Sequence, residues 1–269
     1  MKARGQSDSG GAPARRALWT GSITIGLIHI PVRVHPMVRK GTIPFRLLHR
    51  ADGQPVRYER VCAKDGAVVP WSDIEKGYEV RRDEYVVFSK EELEAAKPES
   101  DRFIRLDKFV YYHAIDPVYF DTPYILLPDR SEEAYALLLT TFDTLDRAGV
   151  GRVTMRTREY PVIIHSYRGA LVMTTLRYAE EVTVPGAYDE LSRLPVPERE
   201  QLDLAKKIVG ELSGDFDIHD YHDRYRERIE DLITRKMAGK TITFEQPKGE
   251  EVRALMDALR DTLEQMKAR

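Results

Sequence analysis

The repeat of the apolar residues changes near residue 195, and that change limits the architecture more than any other feature of the chain. From Ser22 to Tyr178 apolar residues recur mostly at alternate positions, the period of half-buried strands. From Pro197 onward they recur every three or four positions, the period of amphipathic helices. The reading that accommodates both is an α+β chain. A β-rich body with short inserted helices comes first, and a helical C-terminal arm follows.

Within the body, Ser22–His35 reads as one strand with a phase slip. Ile23, Ile25 and Leu27 share one parity; Ile28, Ile30, Val32 and Val34 share the other. A slip at a glycine predicts a β-bulge at Gly26–Ile28. Asp52–Gly53 and Asp65–Gly66 are turn dipeptides, with a short strand over Val56–Ala63 between them. Glu84–Phe88 reads as a strand. The Ser89–Glu92 capping box then opens a short helix that stops before Pro98. Strands follow over Arg102–Tyr112 and Val118–Leu127. Ser131 is placed to cap a helix with a stripe of Ala134, Leu137, Leu138, Phe142 and Leu145, ending at Gly149. Val150–Tyr178 returns to strands, and alternation sets Arg152, Arg156 and Arg158 on one face. In the helical arm, the pattern predicts helices over Pro197–Leu212, Ile218–Met237 and Glu250–Ala268. Residues 240–249 form a linker, and Met1–Arg16 a polar, mobile N-terminal arm.

The chain has 269 residues, with 42 Lys+Arg against 44 Asp+Glu and a formal net charge of −2. Taken whole, that balance argues against a polyanionic partner. Resolved by segment it does not. Residues 31–82 carry a net +5 and residues 147–178 another +5; residues 83–146 carry −9 and residues 179–269 carry −6. Two basic blocks separated by an acidic one suit a bipartite surface for a polyanion.

A single cysteine, Cys62, excludes an internal disulfide framework and a Cys-rich zinc site, and it points to a reducing, intracellular setting. No stretch approaches the length of a membrane span, and no signal-peptide core is present. Phosphate-binding loops, dinucleotide fingerprints and HExxH motifs are missing from the sequence. His219 and His222, with Asp220 and Asp223 beside them, fall at i, i+3 on an expected helix. They are the one candidate metal pair, and a metal-dependent hydrolase is the reading they would support.

Several blocks, in order, resemble the bacterial Ku protein, the DNA-end-binding component of non-homologous end joining. They are WTGSITIGLIHIPVRV (Trp19–Val34), FRLLHR (Phe45–Arg50), ERVC (Glu59–Cys62), IEKGYE (Ile74–Glu79), IDPVYFD (Ile115–Asp121), RTREY (Arg156–Tyr160) and FDIHDYHDRYRERIEDLI (Phe216–Ile233). The resemblance runs over roughly residues 17–240. It implies a β-barrel core over 17–194 with a bridging arm at about 38–80, a helical arm over 195–239, and a linker with an amphipathic helix over 240–269. It also implies a ring-shaped homodimer threaded on double-stranded DNA ends, without catalytic activity or cofactor, that recruits the ATP-dependent DNA ligase D. A cytoplasmic, nucleoid-associated location follows, with no membrane partner. An open-surface nucleic-acid binding module without a ring is the alternative.

A ring that accepts any break needs cations along the phosphates rather than base readers. The expected phosphate contacts are Arg39, Lys40, Arg46, Arg50, Arg57, Arg60, Lys64, Arg156 and Arg158. Arg33 would face either a carboxylate or DNA. The chain departs from the family in the arm. Where many members carry cysteine pairs of a zinc knuckle, it reads His49–Arg50–Ala51–Asp52–Gly53 and Cys62–Ala63–Lys64–Asp65–Gly66. One thiolate cannot hold a structural zinc, so none is expected and hairpin turns must replace it.

Overall fold

A computed structural model of the chain describes residues 16–39, 41–96, 102–239 and 255–267. Among these, residues up to Gly41 together with Arg46–Thr183 form one compact unit; Thr42–Phe45 and the residues from Val184 onward form another. Lys40, the N-terminal arm and the linker after Gly239 lie outside the described residues.

In chain order the first unit holds β1 (Trp19–Ile25), β2 (Ile28–Pro36), β3 (Lys76–Arg81), β4 (Glu84–Phe88), α1 (Lys90–Ala95), β5 (Phe103–Tyr111), β6 (Phe120–Pro128), α2 (Glu132–Leu145), β7 (Arg147–Met155), β8 (Arg158–Tyr167) and β9 (Ala170–Leu176). All but β3 and β4 close into a barrel, in the order β1-β2-β6-β9-β8-β7-β5. Neighbours are antiparallel except at the closure, where β1 and β5 run parallel with Ser22 opposite Phe103. Closure leaves the barrel without a free strand edge. Ile23, Val32, Val34, Ile104, Leu126, Val162, Ile164, Leu171 and Met173 fill the interior. β8 and β9 are buried on both faces, so Val162, Ile163 and Ile164 form a continuous apolar run rather than an alternation.

The phase slip of the first strand is a hairpin, not a bulge. Ile25 pairs with Ile28, and Gly26–Leu27 is the two-residue turn between them. Gly26 takes φ +58°, and Leu27 is 97% exposed. A two-residue turn and a one-residue bulge both disturb parity at a glycine, so alternation alone does not separate them.

The register gives the barrel two distinct ends. Trp19, Pro36, Phe103, Phe120 and Met155 lie at one; Ile25, Ile28, Pro128, Arg147 and Tyr167 lie at the other. The chain leaves β2 for the arm at the first end and re-enters β5 there. We call it the arm end. At the opposite end, α2 begins just after β6 and finishes just before β7, sending Tyr135, Leu138 and Phe142 into the core. The Tyr135 hydroxyl donates to the Leu126 carbonyl at 2.8 Å and accepts from the Leu171 amide at 2.8 Å. The expected stripe is rotated: Leu137 and Leu145 are exposed. Ser131 stands at the N-cap as expected, but its side chain makes no cap bond, because the hydroxyl donates to the Pro31 carbonyl. The helix also ends at Leu145 rather than Gly149. Asp146 closes it in the left-handed conformation, φ +51°, and Gly149 lies inside β7.

The arm has little regular structure between residues 46 and 75. Leu48 bridges Pro55, and Val61 bridges Val68, around turns with Gly53 at φ +69° and Gly66 at φ +74°. The expected strand over Val56–Ala63 is extended chain with single bridges at its flanks. The β3–β4 hairpin and α1 complete the arm. The Ser89 hydroxyl accepts from the Glu92 amide, and the Glu92 carboxylate accepts from the Ser89 amide, as the capping box requires.

The second unit holds α3 (Asp189–Ser192), α4 (Arg199–Leu212), α5 (Arg224–Met237) and α6 (Leu255–Lys267). α6 packs on α4, and Arg260 pairs with Glu200 at 2.9 Å. The helix expected from Ile218 begins only at Arg224. The Asp217 carboxylate accepts from the His219 amide and the Asp223 carboxylate from the Arg226 amide, and these local bonds compete with helix continuity. His219 and His222 therefore do not share a helical face. Among the described residues, no three His, Cys, Asp or Glu side chains gather around a position for a metal ion.

Candidate nucleic-acid interface

Each arm knuckle is closed by an aspartate and a glycine. The Asp52 carboxylate accepts from the Gln54 amide at 3.1 Å and meets His49 Nδ1 at 3.0 Å. The Asp65 carboxylate accepts from the Ala67 amide at 3.0 Å. That amide, and then the Cys62 thiol, hold the Asp65 carboxyl below the usual carboxylate range. These are Asx-type turns, in which a side-chain oxygen ties down the backbone two residues on.

The knuckles present cations. The Val56 amide donates to the Leu47 carbonyl at 3.0 Å, which draws the chain segments bearing Arg46 and Arg57 together. Among the described residues, Arg39, Arg46, Arg50, Arg57 and Lys64 form no ion pair with a carboxylate. Arg60 lies over the Trp71 ring at 4.7 Å, which fixes the guanidinium and leaves its charge in place.

Four arginines of the barrel are placed differently. Arg33 donates to the Pro128 carbonyl and lies 3.8 Å from Asp129, so the carboxylate is its partner. Arg152 pairs with Asp107 at 3.6 Å. Arg177 donates to the Val118 and Phe120 carbonyls and meets Asp121. Arg158 pairs with Glu181. This hydrogen bond, and then the Tyr178 amide, hold the Glu181 carboxyl below its usual range.

Arg152, Arg156 and Arg158 do not form a row. Met155 pairs with Arg158, so Arg156–Thr157 is a turn joining two strands. Thr154 is buried. Arg156 takes φ +60°, a left-handed conformation that costs a non-glycine residue about 1–2 kcal/mol. It forms no ion pair among the described residues. Thr157 lines a cleft with β3, β4 and α1, so this turn sits against the base of the arm.

A second cleft, of about 220 Å³, opens beside Arg156, lined by Trp19, Tyr124, Met155 and Tyr160 among others. The Trp19 ring lies across Gly21, where an added Cβ would come within 2.2 Å of it; the glycine makes the space. Burial, and then the charge of Asp121, push the Tyr124 hydroxyl above its ordinary pKa. Periodicity singles out none of these three aromatic residues, because their common cleft is made by strands distant in sequence. The far end is equally unmarked. There Arg147 stacks on Tyr111 at 3.3 Å, and His165 packs against Tyr112 at 4.5 Å.

The barrel's strand order, the exposed cationic arm and the motif series converge with direct comparison. Residues 24–204 match the family model of the Ku70/Ku80 beta-barrel domain. The chain belongs to the Ku family. A "Non-homologous end joining protein Ku" from Anaeromyxobacter is 37% identical over 252 residues, covering 92% of this chain and 85% of that one. Another from Archaeoglobus fulgidus is 35% identical over 259 residues, covering 94% of this chain and 100% of that one. A third, from Koribacter versatilis, is 35% identical over 254 residues, covering 93% and 87%. The Ku match starts at the end of β1, spans β2 to β9 with the arm inserted among them, and runs into α4. Among the described residues, no helix is long and apolar enough to cross a membrane.

Proposed function

We propose that this chain binds the ends of double-stranded DNA in non-homologous end joining, as a homodimeric ring threaded on the duplex, without catalysis of its own. One cluster carries the reading. Arg46, Arg50, Arg57 and Lys64, close together along the arm, are exposed and pair with no carboxylate among the described residues, whereas Arg33, Arg152, Arg158 and Arg177 on the barrel each lie beside one. Cations held apart from carboxylates are free to replace the counterions of a phosphate backbone, which gives affinity independent of sequence. Arg39 and Arg156 extend the same set, and Lys40, outside the described residues, is proposed with them on sequence alone.

A second copy is supported by apolar side chains that this chain leaves exposed. Tyr58 and Trp71 on the arm are examples, as are Phe216, Tyr221 and Met237 in the second unit. Aromatic and methionine side chains are enriched in protein–protein interfaces relative to the rest of protein surfaces. In this reading the bound ends are handed to the ATP-dependent DNA ligase D, and the protein works in the cytoplasm on the nucleoid.

The test compares open-ended, end-blocked and circular duplexes, with the solution mass of the free protein. A ring loads on open ends and not on circles. Equal binding to all three would leave an open-surface module. Charge reversal of Arg57 and Arg60 together should weaken binding and lower the salt slope by about 0.9 for each phosphate left unneutralised, with the dimer mass unchanged.

A further inference from the structure

Of the three hairpin turns in the barrel, two at opposite ends share a backbone form and differ in sequence; the third, Arg168–Gly169, has positive φ at both central residues. Gly26–Leu27 and Arg156–Thr157 each join paired strands through two residues. In each, only the first central residue has positive φ, +58° for Gly26 and +60° for Arg156. That form calls for glycine at the first position. Gly26 meets the requirement, while Arg156 occupies the same conformation against its steric preference. A strained residue held in place by its surroundings is a pointer to function.

Those surroundings are the cleft at the arm end. Trp19, Tyr124 and Tyr160 pack on the core from one side and line the cleft with Arg156. The hydroxyls of Thr122 and Thr175 both donate to Asp121, which fixes polar groups along its edge. Its volume of about 220 Å³ is the share of roughly seven waters, room for one six-membered nucleobase. Pro36, where the chain departs for the arm, pairs with Tyr124. The cleft and the arm therefore share one end of the barrel.

We propose that this cleft receives the unpaired terminal pyrimidine of a DNA end, the base lying against the aromatic rings and Arg156 holding its phosphate. Aromatic side chains offer a stacking surface to a base, and a neighbouring guanidinium supplies the charge that the nucleotide requires. The proposal rests on the end-binding reading and adds to it a subsite for the last nucleotide.

The test measures binding of the full chain to blunt duplex and to duplex with a single-nucleotide overhang of 5-methylpyrimidin-2-one, a fluorescent single-ring pyrimidine. The overhang should bind more tightly than the blunt end, and its fluorescence should be quenched on binding. Tyr160→Leu should lower the overhang-to-blunt affinity ratio about tenfold, the worth of one stacked base, and relieve the quenching. Arg156→Gly guards against loss of folding. It should raise the melting temperature by roughly 2–4 °C through relief of turn strain, while weakening capture of the overhang. Tight blunt-end binding with an unquenched overhang in the wild type would overturn the cleft alone. Failure to bind either duplex would overturn the end-binding reading and the cleft with it.

Discussion

The two ends of the barrel are made by the same strands and are finished in opposite ways. At the far end α2 supplies three core side chains, Tyr135 satisfies two buried backbone groups, and the hairpin turn uses glycine. At the arm end no helix among the described residues sends side chains into the core. The turn uses a strained arginine, three aromatic rings line an open cleft, and the chain departs into an arm with exposed apolar and cationic side chains. Both ends hold left-handed non-glycine residues, Asp146 and Arg168 at the far end and Arg156 at the arm end. What sets the arm end apart is that its left-handed arginine borders an open aromatic cleft, whereas the far end is covered by α2.

The largest effect should therefore come from the far end. Phe142 is 3% exposed and lies edge-to-face against Phe109 at 5.8 Å. Phe142→Ala should cost about 3–5 kcal/mol by loss of burial and creation of a cavity. Urea denaturation would measure this, and the protein that remains folded should still bind DNA. A cost below about 1 kcal/mol would mean that α2 is an accessory rather than the cover of the barrel.

Tyr135→Phe probes the same end more finely. It keeps the ring and removes the hydroxyl, leaving the Leu126 carbonyl and the Leu171 amide without that partner. About 1–3 kcal/mol is expected, the penalty for a buried polar group left unsatisfied. A neutral outcome would show that water replaces the hydroxyl, and that the far end is less closed than the packing of α2 implies.

The parts legible in the sequence are those governed by local rules. Glu84–Phe88 and the Ser89 capping box stand where alternation and cap chemistry put them. The order of strands and helices through the barrel is readable for the same reason. Readings that need a partner distant in sequence fail. Periodicity assigns Leu137 to the core and passes over Tyr135, because which face of α2 is buried depends on where β7 and β8 pass. The arginines at 152, 156 and 158 look like one row, because a two-residue turn preserves parity along the chain while reversing its direction in space. The cationic arm is legible because charge segregation survives without any fold. The aromatic cleft is not, since Trp19, Tyr124 and Tyr160 belong to three different strands.

The smallest effect separates the two ends by acid sensitivity. At the far end, burial holds the His165 pKa below its ordinary 6.5, and its Nδ1 has no hydrogen-bond partner. Asp143, Asp146 and Arg147 line the adjacent cleft. The folded protein disfavours the proton that the unfolded chain accepts near pH 6.5. The contribution of neutral His165 is therefore complete above pH 6.5 and declines as pH falls toward the folded value. At the arm end, the Glu181 carboxyl lies below its ordinary 4.5 because Arg158 binds it. Its contribution is complete above pH 4.5 and is lost only as pH falls through that depressed value. Acid should thus loosen the far end first and the arm end second. His165→Phe should flatten the stability profile below pH 6.5, and Glu181→Gln should flatten it only below pH 4.5. Equilibrium unfolding across that range reads both slopes. If His165→Phe leaves the upper slope intact, another group at the far end carries the proton. If both variants act in one window, the two ends do not titrate independently.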